Sequence, residues 1–600
     1  MSNQKGFSYS YPLRPNFELR AFAVWVIGGV MTWWVQGYAT YLAPWPFRLW
    51  LGICLAAAVL RVTQGLIFSQ RRTRMEQTPI EKIDRTALDR QVKKGKVWLG
   101  QAFAWTPAAI QLAWDLLKSG DTKLLQLSRG HWIHGLGEKE QNMYVPLDLL
   151  EGHTLIVGST GTGKTRLFDL MIAQAIAREE AVIIIDPKGD HDLRENARLA
   201  CETLGQPERF VYFHPAFPKE SIRLDPLRHF NSPTELASRV AELIPSEGRS
   251  DPFKDFAWKA MNNVIQGMLY VGKKPSLLNL RRSVEGGIDD LLRKTLDYYY
   301  GANFRENVSI IKLNDLKKRY KEKDSLKISH SAVDGLVGMH DHNREHFQKM
   351  IASLIPILSM LTSGSLQTML SPNPDDENDD NQVADIASII DEKKVLYIGL
   401  DSLADSIVGS AIGSIMLADL TAVASDRYNF FKKNPLNKEM PPVNVFVDEA
   451  AEVVNDPTVQ LLNKSRGAGF RAVVAMQTLA DLEVRTGTSS GARQIIGNIN
   501  NWLILRIIDA ETQKYIAQAL TKTAVKSMDL AYRSASDSTD PLSFSTTYHE
   551  SLKEKDIELF PAALLGILPN LHYFCRLADG TTWKGKLPIL GHEKAKEKKL

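Results

Sequence analysis

Apolar residues follow three patterns along this chain, and the longest apolar run comes first. From Ala21 to Phe47 no residue is charged (AFAVWVIGGVMTWWVQGYATYLAPWPF), enough to cross a hydrocarbon core of ~30 Å. A second apolar stretch runs from Leu49 to about Phe68 and is interrupted by Arg61, whose long stem lets its charge reach the headgroups. Trp25, Trp33, Trp34, Trp45 and Trp50 suit the interfacial belts. The pattern predicts a membrane anchor of two helices over residues 1–75, turning at Ala43–Arg48. Lys5, Arg14 and Arg20 precede it and Arg71, Arg72 and Arg74 follow it, so the positive-inside rule puts both chain ends in the cytoplasm.

The second pattern is a series of short, mostly apolar runs: Thr154–Val157, Ala181–Asp186, Val395–Leu400, Pro442–Ala450, Phe470–Met476 and Trp502–Ile508. Near-continuous apolar runs of this length predict strands buried on both faces. Helical periodicity lies between them, at Arg166–Arg178, Asp190–Leu204, Asp405–Asp426 and Asp509–Leu520. Alternation of strand and helix gives an α/β domain with a doubly wound parallel sheet. The third pattern fills Phe230 to Asp385, where the strand signal is lost and helical stripes remain (Glu235–Leu243, Phe256–Leu269, Phe347–Leu361).

Composition narrows the classes. Six hundred residues exceed a single core. With 44% apolar and 24% charged residues the chain is not broadly disordered, and a mean hydropathy of −0.19 excludes a polytopic carrier. Net charge is only +4, so nucleic-acid contact would need local patches. Two are candidates. Residues 71–100 carry nine basic side chains against four acidic ones, which suits anionic headgroups. Arg281, Arg282, Arg293 and Lys294 with Lys317, Lys318, Arg319 and Lys321 form a second basic cluster, which fits DNA phosphates or an ordinary solvated helix face. Cys54, Cys201 and Cys575 are too far apart for a zinc ribbon or a disulfide framework.

The strongest chemical signal is Gly158-Ser159-Thr160-Gly161-Thr162-Gly163-Lys164-Thr165, a complete GxxxxGK[ST] between a strand and a helix. Its glycines let backbone N–H groups face phosphates, Lys164 reaches the outer phosphate oxygens and the Thr165 hydroxyl suits Mg²⁺. ATP with Mg²⁺ is the ligand this loop implies. The run PVNVFVDEA ends in Asp448 and Glu449, the first placed for Mg²⁺ and the second for the attacking water. Gln477, just past FRAVVAM, is placed to sense the terminal phosphate at the carboxyl edge of the sheet.

The phosphate loop, IIDPKGD at Ile184–Asp190, VFVDEA and RGAGFRAVVAMQT at Arg466–Thr478 together resemble type IV conjugative coupling proteins of the TraD/TraG kind, within the FtsK/HerA-like hexameric ATPases. The resemblance implies a RecA-like P-loop NTPase domain with an all-α insertion behind a two-helix membrane hairpin. It divides the chain into the anchor (1–75), a basic juxtamembrane segment leading into the motor (76–150), the RecA-like domain in two parts (151–229 and 386–590), the all-α insertion (230–385) and a charged tail (591–600). It also implies a homo-hexameric ATPase of the bacterial inner membrane that passes relaxase-bound single-stranded DNA to a type IV secretion channel. In such rings an arginine upstream of the sensor glutamine enters the neighbouring subunit's site, a place that Arg466 matches, with Arg471 and Arg506 as substitutes. A docking platform ordered by nucleotide and an FtsK-type pump of double-stranded DNA fit the same motifs.

Three smaller features invite other chemistry. His342-Asn343-Arg344-Glu345-His346 has the HxxEH form of a zinc protease, but it lacks an evident third ligand, and the acidic run Asp375–Asp380 reads as a solvated loop. Asp405 reads as a helix N-cap rather than a metal ligand. Ser534–Thr547 (SASDSTDPLSFSTT) reads as a mobile loop.

Overall fold

The computed structural model describes residues 15–591 apart from 77–78, 120–129, 137–139, 245–251, 326–327, 343–348, 350, 374–378, 380, 432–439 and 538–539; for 71, 74, 76 and 528–550 it describes the backbone alone. Two long helices open the chain, α1 (Phe17–Tyr38) and α2 (Trp45–Glu76). The turn between them is earlier than the sequence pattern suggested, at 39–44 rather than Ala43–Arg48. Pro46 is tolerated in the first turn of a helix, where its missing N–H has no intrahelical partner to lose, so α2 begins one residue before it. The pair packs antiparallel at small residues: a Cβ on Gly65 would lie 2.8 Å from Leu19 Cδ2, and Asn16 Nδ2 donates to Gly65 O at 3.0 Å. Val24, Ile27, Trp33, Trp34, Leu55 and Ile67 are exposed, which suits a hairpin surrounded by lipid. The far end of α2 enters the motor, where Met75 is fully buried against Gly135.

One eleven-stranded sheet organises the rest. In chain order its strands are β1 (Lys96–Ala104), β2 (Gln141–Pro146), β3 (Thr154–Val157), β4 (Ala181–Asp186), β5 (Phe210–Phe213), β6 (Val395–Gly399), β7 (Val443–Val447), β8 (Phe470–Met476), β9 (Asn501–Ile504), β10 (His572–Arg576) and β11 (Thr582–Lys586). Their spatial order is β2-β1-β11-β10-β9-β3-β8-β7-β4-β6-β5. From β9 to β5 every pairing is parallel, and the remaining strands add an antiparallel flank. Within β4, Ile183 and Ile185 join one core while Val182 and Ile184 join the other, the period of two that a sheet covered on both faces demands. Helix α3 (Lys164–Ala177) covers one face and α4 (Ser406–Phe430) the other. Helix α4 is apolar enough to span a membrane, yet 78% of its most apolar window is buried inside the protein, so it is a core helix.

Between the short paired strands Arg223–Leu224 and Val383–Ala384 the described residues are helical or irregular. The first of these helices, Pro233–Ala241, is tied to α4 by a fully buried ion pair, Arg239 Nη1 to Asp419 Oδ1 at 2.7 Å.

The basic cluster of this helical region is largely neutralised within the chain. Lys317 and Lys321 both pair with Asp341, Arg319 with Glu306 and Asp324, Arg293 with Asp297, Lys294 with Asp290 and Arg281 with Glu285. The described residues of Ser534–Thr547 are strand rather than loop, the outer part of a two-stranded antiparallel ribbon, Lys522–Asp537 with Asp540–Glu558. Backbone pairing supplies the order there without the apolar alternation that would have announced it, helped by β-favouring Phe544, Thr546, Thr547 and Tyr548. Gln111 roots the ribbon by exchanging two hydrogen bonds with the Lys526 backbone. Of the HxxEH motif only His342 lies within the described residues, as does only Asp379 of the acidic run, where it pairs with Arg223. Residues 592–600 lie outside them as well.

Candidate nucleotide site

The site follows from the order of four neighbouring strands. β3, β8, β7 and β4 lie side by side and parallel, so the residues after each strand meet at one carboxyl edge. After β3 comes the phosphate loop; after β8, Gln477; after β7, Asp448 and Glu449; after β4, Pro187-Lys188-Gly189-Asp190.

The loop's glycines are structural requirements. Gly161 and Gly163 have φ of +74° and +117°, conformations that cost side-chain-bearing residues most. A Cβ on Gly158 would lie 2.8 Å from Thr162 Oγ1 and Leu505 Cβ. The loop is tied to its neighbours through Ser159, whose N–H donates to Arg506 O and whose hydroxyl accepts from Ile508 N–H. On its other side the Leu571 N–H donates to Thr162 O, and the Leu571 side chain occupies the space beside Gly163. Lys164 and Thr165 begin α3. The Lys164 ammonium is buried and donates to Gly158 O at 2.7 Å. Burial lowers its pKa, an effect opposed by the charges of Glu449 and Asp448.

A continuous chain of hydrogen bonds crosses the edge. Thr160 Oγ1 donates to Gln477 Oε1 at 2.9 Å, Gln477 Nε2 donates to Glu449 Oε1 at 2.5 Å, and Lys188 Nζ reaches that same carboxylate oxygen at 2.6 Å. Glu449 holds a left-handed backbone at φ +42°, which costs a non-glycine residue ~1–3 kcal/mol and marks a position held by its surroundings. Asp448 is buried beside it, and its pKa is pushed up to about 6 by burial and by the charges of Asp186 and Glu449, against the pull of Lys164. Asp186 is fully buried and accepts from Tyr397 Oη and from the N–H groups of Lys188 and Asp190. Burial raises its pKa despite those donors.

The donor set fits a nucleotide with Mg²⁺. Backbone N–H groups open α3, Lys164 supplies a cation, and the space at Gly158 and Gly163 is closed to any side chain. Beside them the Thr165 hydroxyl and the crowded, desolvated Asp448 are hard oxygen ligands of the kind Mg²⁺ takes.

Gly158 to Thr165, Asp448, Glu449 and Gln477 therefore come together at one edge of the sheet. Arg466 does not join them within one subunit. It lies before the amino end of β8, exposed, with Glu151 Oε2 at 3.7 Å, a strand's length (~23 Å) from Gln477. Arg471 is engaged at the same end with Glu180. Arg506 adjoins the phosphate loop through its carbonyl. Asp405 caps α4, accepting from the N–H groups of Ile407 and Val408. Among the described residues no group of three or more His, Cys, Asp or Glu forms a further candidate metal centre. Lys188, Asp186 and Tyr397 carried no role in the sequence reading. No sequence signal marks them: only the parallel pairing of β4 with β7 brings the residues after Ile185 to those after Val447.

The comparisons with known proteins agree with this site. The family model described as the central domain of helicase HerA matches residues 133–336, which include the phosphate loop. The model described as the TraM recognition site of TraD and TraG matches 442–570, which include Asp448, Glu449 and Gln477. In these two segments the chain is similar to type IV coupling proteins and to HerA-like ATPases. The type 4 coupling protein DotL of Legionella pneumophila is 20% identical over 443 residues, 69% of this chain and 54% of DotL, so the chain spans about half of that relative's length. The unbound bacterial conjugative coupling protein TrwBdeltaN70 shares the fold at a TM-score of 0.51 and 15% identity, covering 86% of this chain and 93% of that one. TrwB in complex with the non-hydrolysable GTP analogue GDPNP does so at 0.50 and 15%, covering 87% and 98%.

Proposed function

We propose that this chain is a membrane-anchored ATPase that couples nucleotide hydrolysis to the passage of relaxase-bound single-stranded DNA into a type IV secretion channel. The observation that carries the hydrolytic part is the joining of the phosphate-loop tip to Glu449 through Gln477. Lys164 and the loop N–H groups bind the phosphates of ATP, Thr165 and Asp448 hold Mg²⁺, and Glu449 takes a proton from the attacking water. The metal, when bound, offsets charge on the phosphate oxygens. Gln477 reports whether the terminal phosphate is in place. Arg466, remote from its own subunit's site, is free of any role there and is suited to complete the site of a neighbour in a homo-hexamer. Both chain ends face the cytoplasm of a bacterium whose inner membrane holds α1 and α2, and the secretion components are met at that membrane.

A second reading, a nucleotide-ordered platform that presents protein cargo, is favoured by one observation: the basic cluster of the helical region is mostly paired with acids. The full-length chain in phospholipid nanodiscs separates the two. The DNA reading expects ATPase activity stimulated by single-stranded DNA and lost at high salt. Unchanged activity with DNA at every salt concentration favours the platform.

A further inference from the structure

Lys188 has no part in phosphate-loop chemistry as such, yet its ammonium sits on the carboxylate assigned as the base. Glu449 Oε1 accepts from Lys188 Nζ and from Gln477 Nε2. Two donors occupy both lone-pair positions of that oxygen, which leaves Oε2 as the acceptor for a further group. The backbone that carries Lys188 is fixed from several sides. Its N–H donates to Asp186 Oδ1 at 3.0 Å, and Pro187 O accepts from the Ser402 N–H and hydroxyl. Gly189 has φ of +70°, and a Cβ there would lie 2.7 Å from His214 Nε2. Beyond this anchored backbone the Lys188 side chain is 41% exposed, while that of Glu449 is only 11% exposed. The arrangement is a solvent-side cation reaching in to a nearly buried carboxylate. Burial works against the Lys188 charge, but the hydrogen bond and charge of Glu449 outweigh it and raise the amine's pKa.

We propose that Lys188 is a positioning residue for hydrolysis: its ammonium and the Gln477 amide grip Glu449 Oε1 from two sides, turning Oε2 toward the attacking water. This rests on the reading of Glu449 as the base. Lys188 differs in role from Lys164, whose partner is the nucleotide itself.

The test uses the full-length chain in nanodiscs, with Lys188→Met, Lys188→Arg and Glu449→Gln measured side by side. Lys188→Met should lower kcat about tenfold to a hundredfold, while affinity for a fluorescent ATP analogue, read by direct binding, stays within about twofold of parental. Lys188→Arg, which still donates to Oε1, should restore kcat to within about threefold. Parental kcat in Lys188→Met would overturn the proposal. So would a tenfold loss of nucleotide affinity, which would make Lys188 a phosphate ligand, or a loss of kcat that Lys188→Arg does not rescue, which would make it structural. Full turnover by Glu449→Gln would instead remove the base itself, whatever Lys188 does.

Discussion

The carboxyl edge of the sheet and the helical region after it both concentrate charge, but they handle it in opposite ways. On the helices Lys317, Lys321, Arg319, Lys294 and Arg293 each have an acid on the same or an adjoining element, and most of these groups keep contact with water. At the sheet edge Asp186, Asp448 and Glu449 are withdrawn from water and lie closer to one another than their charges favour, so the Asp448 pKa rises to about 6. The first arrangement lowers charge cost and holds helices together. The second stores unfavourable charge where a divalent cation and a phosphate can relieve it, as expected of a catalytic site.

Removing charge from the edge should therefore cost function heavily. Lys164→Ala should abolish measurable ATP binding, since nothing else inside the loop offers a buried cation; a direct binding assay on the full-length chain reads this. Arg466→Ala should lower turnover by about a thousandfold if the guanidinium acts on the neighbouring subunit. Mixing it with Glu449→Gln subunits should then recover activity at interfaces that retain Glu449 on one side and Arg466 on the other.

Asp448→Asn should separate function from stability. The folded pKa of about 6 lies above the ordinary carboxylate value of 3.8, so the ionised group costs stability at neutral pH, and the cost fades as pH falls through 6. The variant should lose Mg²⁺-dependent turnover yet melt ~3 °C higher at pH 8, and this gap should close toward pH 4. Thermal melts across pH, without nucleotide, check the sign.

The smallest effect belongs to the helical region. Reversing Lys317, Lys318 and Arg319 to Glu should lower the melting temperature by ~2–4 °C, because Asp341, Glu322, Glu306 and Asp324 would then face like charges. ATPase activity without DNA should stay parental. Loss of DNA stimulation with an unchanged melt would mean that these side chains serve DNA rather than the fold.

What could be read from the sequence divides along the same line. β3, β4, β7 and β8 are legible because strands buried on both faces are apolar at nearly every position, and the motif residues sit immediately after them. The antiparallel flank was not legible. β10 and β11 carry His572, Lys584 and Lys586 and pair with each other, and β11 pairs with β1, which lies far away in the chain, so periodicity does not mark them and proximity does not place them. Lys584 is fully buried, with its ammonium at 3.1 Å from His572 Nδ1, a polar core that composition alone would place at the surface. The placement of Lys164, Asp448, Glu449 and Gln477 at the sheet edge was legible from motif and strand end. The Lys188 contact required knowing that β4 adjoins β7. Pairing of the basic cluster required knowing which helices pack together.

The central claim, that the end of β7 presents a hydrolytic base to nucleotide held by the phosphate loop, is tested most directly by Glu449→Gln. Radiolabelled ATP and released phosphate are measured together on the full-length chain. The account predicts that the variant retains ATP as well as the parental chain does and releases phosphate more than a hundredfold more slowly. Phosphate release at the parental rate would contradict it.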